Sequence, residues 1–306
     1  MGDQNRDRRA TYTVFLLFLA FAFTFIDRQI LSILFEPITA DLDLSDTQLG
    51  FLGGMAFSLT YSLLGVPLAM LADRRGRKSI ITWSLTIFST MTVLCGMAAS
   101  FIYLAMARIG VGIGEAGVNP ASQSIVADLY PPEKRSTPMS VIAAGAPVGI
   151  IFGLIGGGWI ANEFGWRVAF FVVGAPGLVL ALVMALTLRE PRRGMADGHD
   201  ENLRDAPSLL TVLGFMWRSP APRNLLIAST LANVAGYGVN SWFPAFFMRT
   251  HDLSLTEEGV IVGLAGGTAG LIGALLGGWL FDKVSASRST AAALKLLAGF
   301  LIAAYR

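Results

Sequence analysis

An all-α integral membrane fold is predicted by three features of the sequence: its composition, the length of its apolar blocks and the placement of its basic residues. Over half of the 306 residues are apolar (54%), only 14% are charged, and mean hydropathy is +0.60. Soluble domains carry about 25% charged residues. The apolar residues fall in blocks of ~20 or more, the length a helix needs to cross a ~30 Å hydrocarbon core. Backbone groups in lipid must pair within a helix or a closed barrel. Barrel strands would alternate in polarity over about 10 residues, and these blocks do not alternate.

The first block opens after Arg6, Arg8 and Arg9, a pattern shared with signal peptides. It runs on to Phe35 without a small-residue cleavage site before Asp27-Arg28, so it reads as an uncleaved first span. Nine spans are predicted: 13–36, 47–71, 79–99, 101–127, 138–161, 167–188, 224–248, 259–281 and 289–305. Between the sixth and seventh, a polar stretch with Pro191, Pro207, Pro220 and Pro222 reads as a linker, within which 208–217 suits a short interfacial helix. The expected organisation is a six-helix bundle at 1–190, a cytoplasmic linker at 191–222 and an incomplete second bundle at 223–306.

Lys and Arg number seventeen in the N-terminus and alternate loops, but only Arg167 and Arg249 lie in the intervening loops. Basic loops stay in the cytoplasm. A cytoplasmic N-terminus is therefore expected, in a multi-pass protein of a bacterial inner membrane.

Several classes are excluded. Cys95 is the only cysteine, and His199 and His251 have no ligand cluster, so neither a metal nor a disulfide framework is expected. No basic patch stands free of the membrane pattern to bind nucleic acid. Gly112-Ile113-Gly114-Glu115-Ala116-Gly117 spells a dinucleotide fingerprint but lies inside a span, without the strand that the motif requires. No cofactor is expected.

An internal repeat supports two related halves. Ala69-Met70-Leu71-Ala72-Asp73-Arg74 in the second-to-third connection corresponds to Gly278-Trp279-Leu280-Phe281-Asp282-Lys283 in the eighth-to-ninth, with Asp282 lying 209 residues after Asp73. Repeats of this kind mark transporters that bind their solute between two bundles.

With these residues in view, the sequence resembles the major facilitator superfamily. Residues 69–78 match its G-x-x-x-D-R-x-G-R-K loop, with Ala69 where Gly is usual. Arg108-Ile-Gly-Val-Gly-Ile-Gly resembles the Arg motif of its fourth helix, and Gly145-Ala-Pro-Val-Gly149 the Gly-Pro motif of its fifth. Phe25-Ile-Asp-Arg28 and 165–177 look most like the Spinster-like transporters. The resemblance implies alternating access, no enzymatic activity, a monomer, and an amphiphilic, lipid-like or organic anion as substrate, with protons and membrane lipids as further partners. A small organic-anion or sugar-acid symporter is the alternative. The superfamily usually has twelve helices, and this chain stops near the end of the ninth, so an inactive truncated fragment is a further alternative.

Charges inside spans are the candidate site. Asp27, Arg28 and Glu115 sit near mid-membrane, where each charge costs ~2.5–3.5 kcal/mol on the insertion scale. Arg108 and Glu115, seven residues apart, share one helix face, and Asn119 extends it by a turn. Protonation of Asp27 or Glu115 would free an arginine for an anionic substrate; a fixed ion-pair network that only sets packing is the competing reading. Asn233, Tyr237 and Asn240, with Trp242 nearby, form a polar stripe on the seventh span, as cavity wall or as interhelical glue. By the same resemblance, Asp73, Arg74, Gly76 and Arg77, with Asp282 in the second half, form a cytoplasmic gate. Gly145, Gly149, Gly153 and Gly157 on the fifth span, and the glycines of the eighth, are expected where the two halves slide.

Overall fold

A computed structural model describes residues 2–74, 76–131, 134–191, 193, 209–287 and parts of 292–300; among the side chains outside that description are those of Asp73, Arg74 and Asp282. The first span is α1 (Gly2–Ile33), which turns at Leu34 into the short α2 (Phe35–Leu42). The second is α3 (Asp46–Gly50), a π-helical turn at Phe51–Met55 and α4 (Ala56–Arg74). The third is α5 (Arg77–Gly96). The fourth is interrupted, as α6 (Phe101–Glu115) and α7 (Val118–Leu129), and so is the fifth, as α8 (Ser136–Ala143) and α9 (Gly145–Phe164). Helix α10 (Trp166–Thr187) is the sixth. The expected interfacial helix is α11 (Leu209–Arg218), followed by α12 (Pro220–His251) and α13 (Leu255–Ser287).

Seven of the described helical stretches are long and apolar enough to cross a membrane. Helix α12 has the length, about 48 Å for its 32 residues, but is not among them. The polar stripe of Asn233, Tyr237 and Asn240 explains this, since that face needs polar neighbours rather than lipid. The ninth predicted span lies largely outside the described residues.

Local chemistry sets the turns. One residue, Gly165, joins α9 to α10 at φ +86°, where a side chain would be strained. Among the described residues, Asp43 and Asp252 are the non-glycine residues with left-handed backbones, and each is followed by a Ser-led capping box. Ser45 Oγ accepts from Gln48 N at 3.3 Å, while Gln48 Oε1 accepts from Ser45 N at 2.9 Å. Ser254 Oγ accepts from Glu257 N at 3.3 Å, while Glu257 Oε2 accepts from Ser254 N at 3.0 Å. Asp43-Leu-Ser-Asp-Thr-Gln48 and Asp252-Leu-Ser-Leu-Thr-Glu257 stand 209 residues apart, the same offset as Asp73 and Asp282. The repeat therefore extends to the opposite ends of these helices.

Helices α1 to α10 pack as one bundle: α5 lies between α6 and α10, and α1 lies along α9. Exposed apolar side chains such as Leu63, Trp83, Ile102 and Leu186 face outward, where lipid would cover them. Helix α13 packs on α9, and α12 meets α1.

The expected glycine interface is corrected in one respect. The fifth and eighth spans do meet, but the ridge of Gly145, Gly149, Gly153 and Gly157 faces α1 instead. A Cβ on Gly149 would lie 2.5 Å from the Ala22 carbonyl and 2.7 Å from Phe25 Cβ. On α13, Gly259, Gly263 and Gly267 accept Leu154, Ile155 and Ile151 of α9. Glycines of one helix thus receive branched residues of the other, because a ridge needs a groove rather than a second groove. Gly266, Gly270 and Gly273 meet nothing within 4 Å among the described residues.

That basic end is tied by Arg77. Its guanidinium donates to Asp128 of α7, to Ser124 Oγ at 3.2 Å, to Glu190 at 3.0 Å and to the Pro191 carbonyl at 3.0 Å. Glu190 also accepts from the N–H groups of Lys78 at 2.7 Å and Arg77 at 2.9 Å. These contacts join the third, fourth and sixth spans of the first bundle. Asp73, Arg74 and Asp282, as side chains of the expected gate, lie outside the described residues. Gly76 sits at the N-cap of α5, where a Cβ would make ordinary 3.5 Å contact with Glu190.

Two outcomes follow. Gly149→Ala should destabilise the protein in detergent by ~1–3 kcal/mol through overpacking, whereas Gly156→Ala, with open space around it, should be neutral or stabilising in thermal melts. Partial burial pulls the Glu190 pKa up, but the two backbone N–H groups and the Arg77 guanidinium outweigh it and hold the carboxyl below the usual range. A depressed folded pKa stabilises above the unfolded value near 4.5 and loses that contribution as pH falls through the folded one. Acid destabilisation between pH 7 and about 3 should accordingly be smaller in Glu190→Gln, measured by melting temperature against pH.

Candidate functional site

Two ion pairs cross between α1 and α6. Asp27 accepts from Arg108 Nη1 at 2.7 Å, and Glu115 accepts from Arg28 Nε and Nη2, both at 2.8 Å. Neighbours on α1 therefore reach partners two turns apart on α6. The i, i+7 spacing of Arg108 and Glu115 places both on one face, and consecutive α1 residues, about 100° apart, reach one partner each. A third helix joins through Thr92 of α5, whose hydroxyl donates to Asp27.

Burial divides the four charges. Asp27, Arg108 and Glu115 are at most 1% exposed, while the Arg28 side chain is 18% exposed. Its guanidinium lies over the rings of Phe25, Phe57 and Tyr61 at 5.1, 4.9 and 5.0 Å. Aromatic faces hold a cation without discharging it. The network is not saturated: Glu115 Oε1 and Arg108 Nε have no hydrogen-bond partner among the described residues.

Arg28 opens into a cavity of about 300 Å³ between α1, α9 and α12, lined also by Ser32, Asn233, Tyr237, Asn240 and Ser241. A second cavity of about 390 Å³ adjoins it, walled by Leu154, Val239, Phe243, Phe247, Ile261 and Val262. Gln29, Ile150, Gly236 and Asn240 border both. Gln29 Nε2 donates to Asn240 Oδ1 at 3.1 Å across the two cavities' shared edge.

Of the expected site residues, Asp27, Arg28, Arg108 and Glu115 converge, and Asn233, Tyr237 and Asn240 face Arg28 across the cavity. Two lie elsewhere. Asn119 does not extend the charged face, because the helix breaks at Ala116–Gly117 and its carbonyl oxygen accepts from Gln123 at 3.1 Å. Trp242 sits further along α12, its ring 5.3 Å from that of Phe35.

Two groups give no clear signal in the sequence. Gln29 and Thr92 are uncharged, although Gln29 directly follows Asp27-Arg28. Arg249, a topology marker by sequence, ties α12 to α2 and α3 by pairs to Glu36 at 2.7 Å and Asp46 at 2.7 Å. With Phe35–Trp242 and the α9–α13 contacts, it closes the end opposite the basic loops.

Asp27→Asn would leave Arg108 buried without its counter-charge, at an expected cost of ~3–5 kcal/mol. Thermal melts in detergent should show that loss and its partial recovery in Asp27→Asn/Arg108→Gln. An unchanged melting temperature in the single variant would mean the pair carries no structural weight.

Residues 17–305 match the model of the Major Facilitator Superfamily. An MFS-type efflux pump of Mycolicibacterium smegmatis (strain ATCC 700084 / mc(2)155) is 37% identical over 288 residues, which are 93% of this chain and 65% of that protein. The probable galactarate/D-glucarate transporter of Bacillus subtilis (strain 168) is 26% identical over 95% of this chain and 69% of its own length. Among solved structures, a bacterial homologue of the human lysosomal transporter Spinster, in an inward-facing and unoccupied conformation, superposes with a TM-score of 0.79. Its identity is 34%, covering 90% of this chain and 63% of that one. The chain thus spans about two thirds of the length of such relatives. Helices, repeat and matches agree: the chain belongs to the Major Facilitator Superfamily, with a fold like that of the bacterial Spinster homologue.

Proposed function

We propose that the protein is a secondary transporter that carries an amphiphilic organic anion by alternating access, with Arg28 as the anion site and Glu115 as its proton-responsive partner. The observation that carries this reading is the pair of adjoining cavities, one presenting a guanidinium among polar groups and the other apolar. An anionic head beside Arg28 and Asn240 would leave its tail against Phe243, Phe247, Leu154 and Ile261. Apolar walls with a few convergent polar groups are the usual form of a small-molecule site.

Coupling follows from the ion pairs. Arg28 is held by Glu115 when no anion is bound. Glu115 Oε1 has no partner among the described residues, so a proton arriving there breaks no hydrogen bond with them. The neutral carboxyl then releases Arg28 to the substrate. Asp27 and Arg108, fully enclosed, keep α1 and α6 in register meanwhile. Movement comes from two related bundles, 1–190 and 223–306, rocking about the cavities, with residues 73–77 and Asp282 gating the basic, cytoplasmic end. A multi-pass bacterial inner-membrane protein with a cytoplasmic N-terminus is the setting, and a monomer the working unit. No cofactor, metal or enzymatic step enters.

One observation favours a second reading. The polar cavity by itself suits a small polyhydroxylated acid, and the galactarate/glucarate relative bears a name of that kind.

Proteoliposomes with an imposed pH gradient test both. Uptake of a labelled lysolipid anion should be displaced by unlabelled lysolipid and not by a hexuronate, and Arg28→Gln should weaken it about tenfold or more, the worth of a hydrogen bond to a charged group. Glu115→Gln should bind the anion without any dependence on the gradient. Displacement by the hexuronate alone would favour the second reading, and full proton-driven accumulation in Glu115→Gln would remove Glu115 from the scheme.

A further inference from the structure

A second carboxyl lies at the opposite end of the molecule from the basic loops, outside the network just described. Glu258 is in the first turn of α13 and is 0% exposed. Neither of its carboxyl oxygens has a hydrogen-bond partner among the described residues. It belongs to the stretch of α13 that packs on α9. The Leu255 carbonyl, one turn before, lies against Gly158, and Gly259, one residue after, lies against Leu154.

The internal repeat sharpens the anomaly. With the 209-residue offset that aligns the two left-handed aspartates and the two capping boxes, Glu258 corresponds to Leu49, a fully buried core leucine. The same turn, built twice, holds an aliphatic side chain in one copy and an acid in the other. Helix capping does not require the acid, because Glu257 supplies the box.

Nearby charges are committed elsewhere. On α12, Arg249 pairs with Glu36 and Asp46, and His251 stacks on Phe247 at 5.4 Å. Arg167 pairs with Asp41 at 2.6 Å, and Glu163 of α9 accepts from Asn162 at 3.1 Å. Asp252 lies on the exposed turn before α13. An ionised carboxylate enclosed without cation or donor is far costlier than a neutral acid. A proton is the smallest ligand that neutralises such a carboxylate, and sodium is the alternative that the test below separates.

We propose that Glu258 is a proton-binding site that senses the closure of α13 on α9: it holds a proton while this end is closed and releases it when the end opens and water reaches the carboxyl. The site adds a proton-linked step at the outer gate, distinct from Glu115 at the cavity. The inference rests on the alternating-access reading but not on the identity of the substrate.

The linkage has a definite sign. The closed state carries one proton more than the open state, so closure is favoured at low pH, and each pH unit upward shifts the ratio up to tenfold toward open. The Arg249 pairs to Glu36 and Asp46 are a separate lock on the same end and do not involve Glu258.

Spin labels on Thr47→Cys and Thr250→Cys, both exposed at this end and on opposite sides of the gate, report the gap by distance distributions; the native Cys95 is buried. The reconstituted protein should open as pH rises from about 5 to 9. Glu258→Gln, which mimics the neutral acid, should stay closed over that range, and Glu258→Asp should keep a pH response with a displaced midpoint. In infrared difference spectra, a protonated carboxyl C=O band should be present in the parent at neutral pH and missing in Glu258→Gln. The proposal is overturned by an unaltered pH response in Glu258→Gln, by a response to sodium rather than to pH, or by the absence of that carboxyl band. A gap that never opens while the band is present would instead overturn alternating access and leave the proton site standing.

Discussion

Charge neutralisation without water is the constraint on which the rest of the structure depends. Two acids and two arginines meet where α1, α5 and α6 come together, and three of them, Asp27, Arg108 and Glu115, are enclosed by protein. Each burial would cost several kcal/mol if left uncompensated. The crossed pairing of Asp27 with Arg108 and Arg28 with Glu115 fixes the rotation of α1 against α6. That rotation sets where Gln29 and Ser32 face, and hence where the cavity lies.

The two pairs differ in a way that separates structure from activity. Asp27–Arg108 is closed off from the cavity and bound also by Thr92, so it behaves as a fixed strut. Arg28–Glu115 stands at the wall, with its arginine resting on aromatic faces and its acid only half satisfied. A cation resting on aromatic rings keeps its charge when its acid partner lets go, whereas Arg108 is enclosed with Asp27 and has no cavity to turn into. The asymmetry supplies one rigid and one exchangeable interaction from four residues.

Closure at one end follows from packing of a different kind. Gly259, Gly263 and Gly267 let α13 approach the branched side chains of α9, while Gly270 and Gly273 meet nothing within 4 Å among the described residues. The Arg249 pairs and the Phe35–Trp242 contact reinforce the closed end. Apolar and small-residue contact of this sort is weak per residue and can be remade in another register, which suits an interface that must alternate. The ridge of Gly145, Gly149, Gly153 and Gly157 serves the opposite purpose, since it presses α9 against α1 inside one bundle.

The sequence by itself determined the solvent, the helices and the family. Apolar blocks of membrane length, the asymmetry of basic loops and the 69–78 motif depend only on composition and order, and they placed Asp27, Arg28, Arg108 and Glu115 in one candidate site. Helix periodicity also put Asn233, Tyr237 and Asn240 on one face, which does line the cavity. Tertiary structure alone decided which acid meets which arginine, because that depends on the rotation of one helix against another. It decided that Asn119 leaves the charged face, since the helix breaks at Ala116–Gly117, and that Trp242 lies beyond the cavity. It also gave Arg249 and Glu258 their significance. A charge near a helix end reads in sequence as topology or capping, and only the neighbours that enclose it show whether it is paired, as Arg249 is, or buried without a partner among the described residues, as Glu258 is.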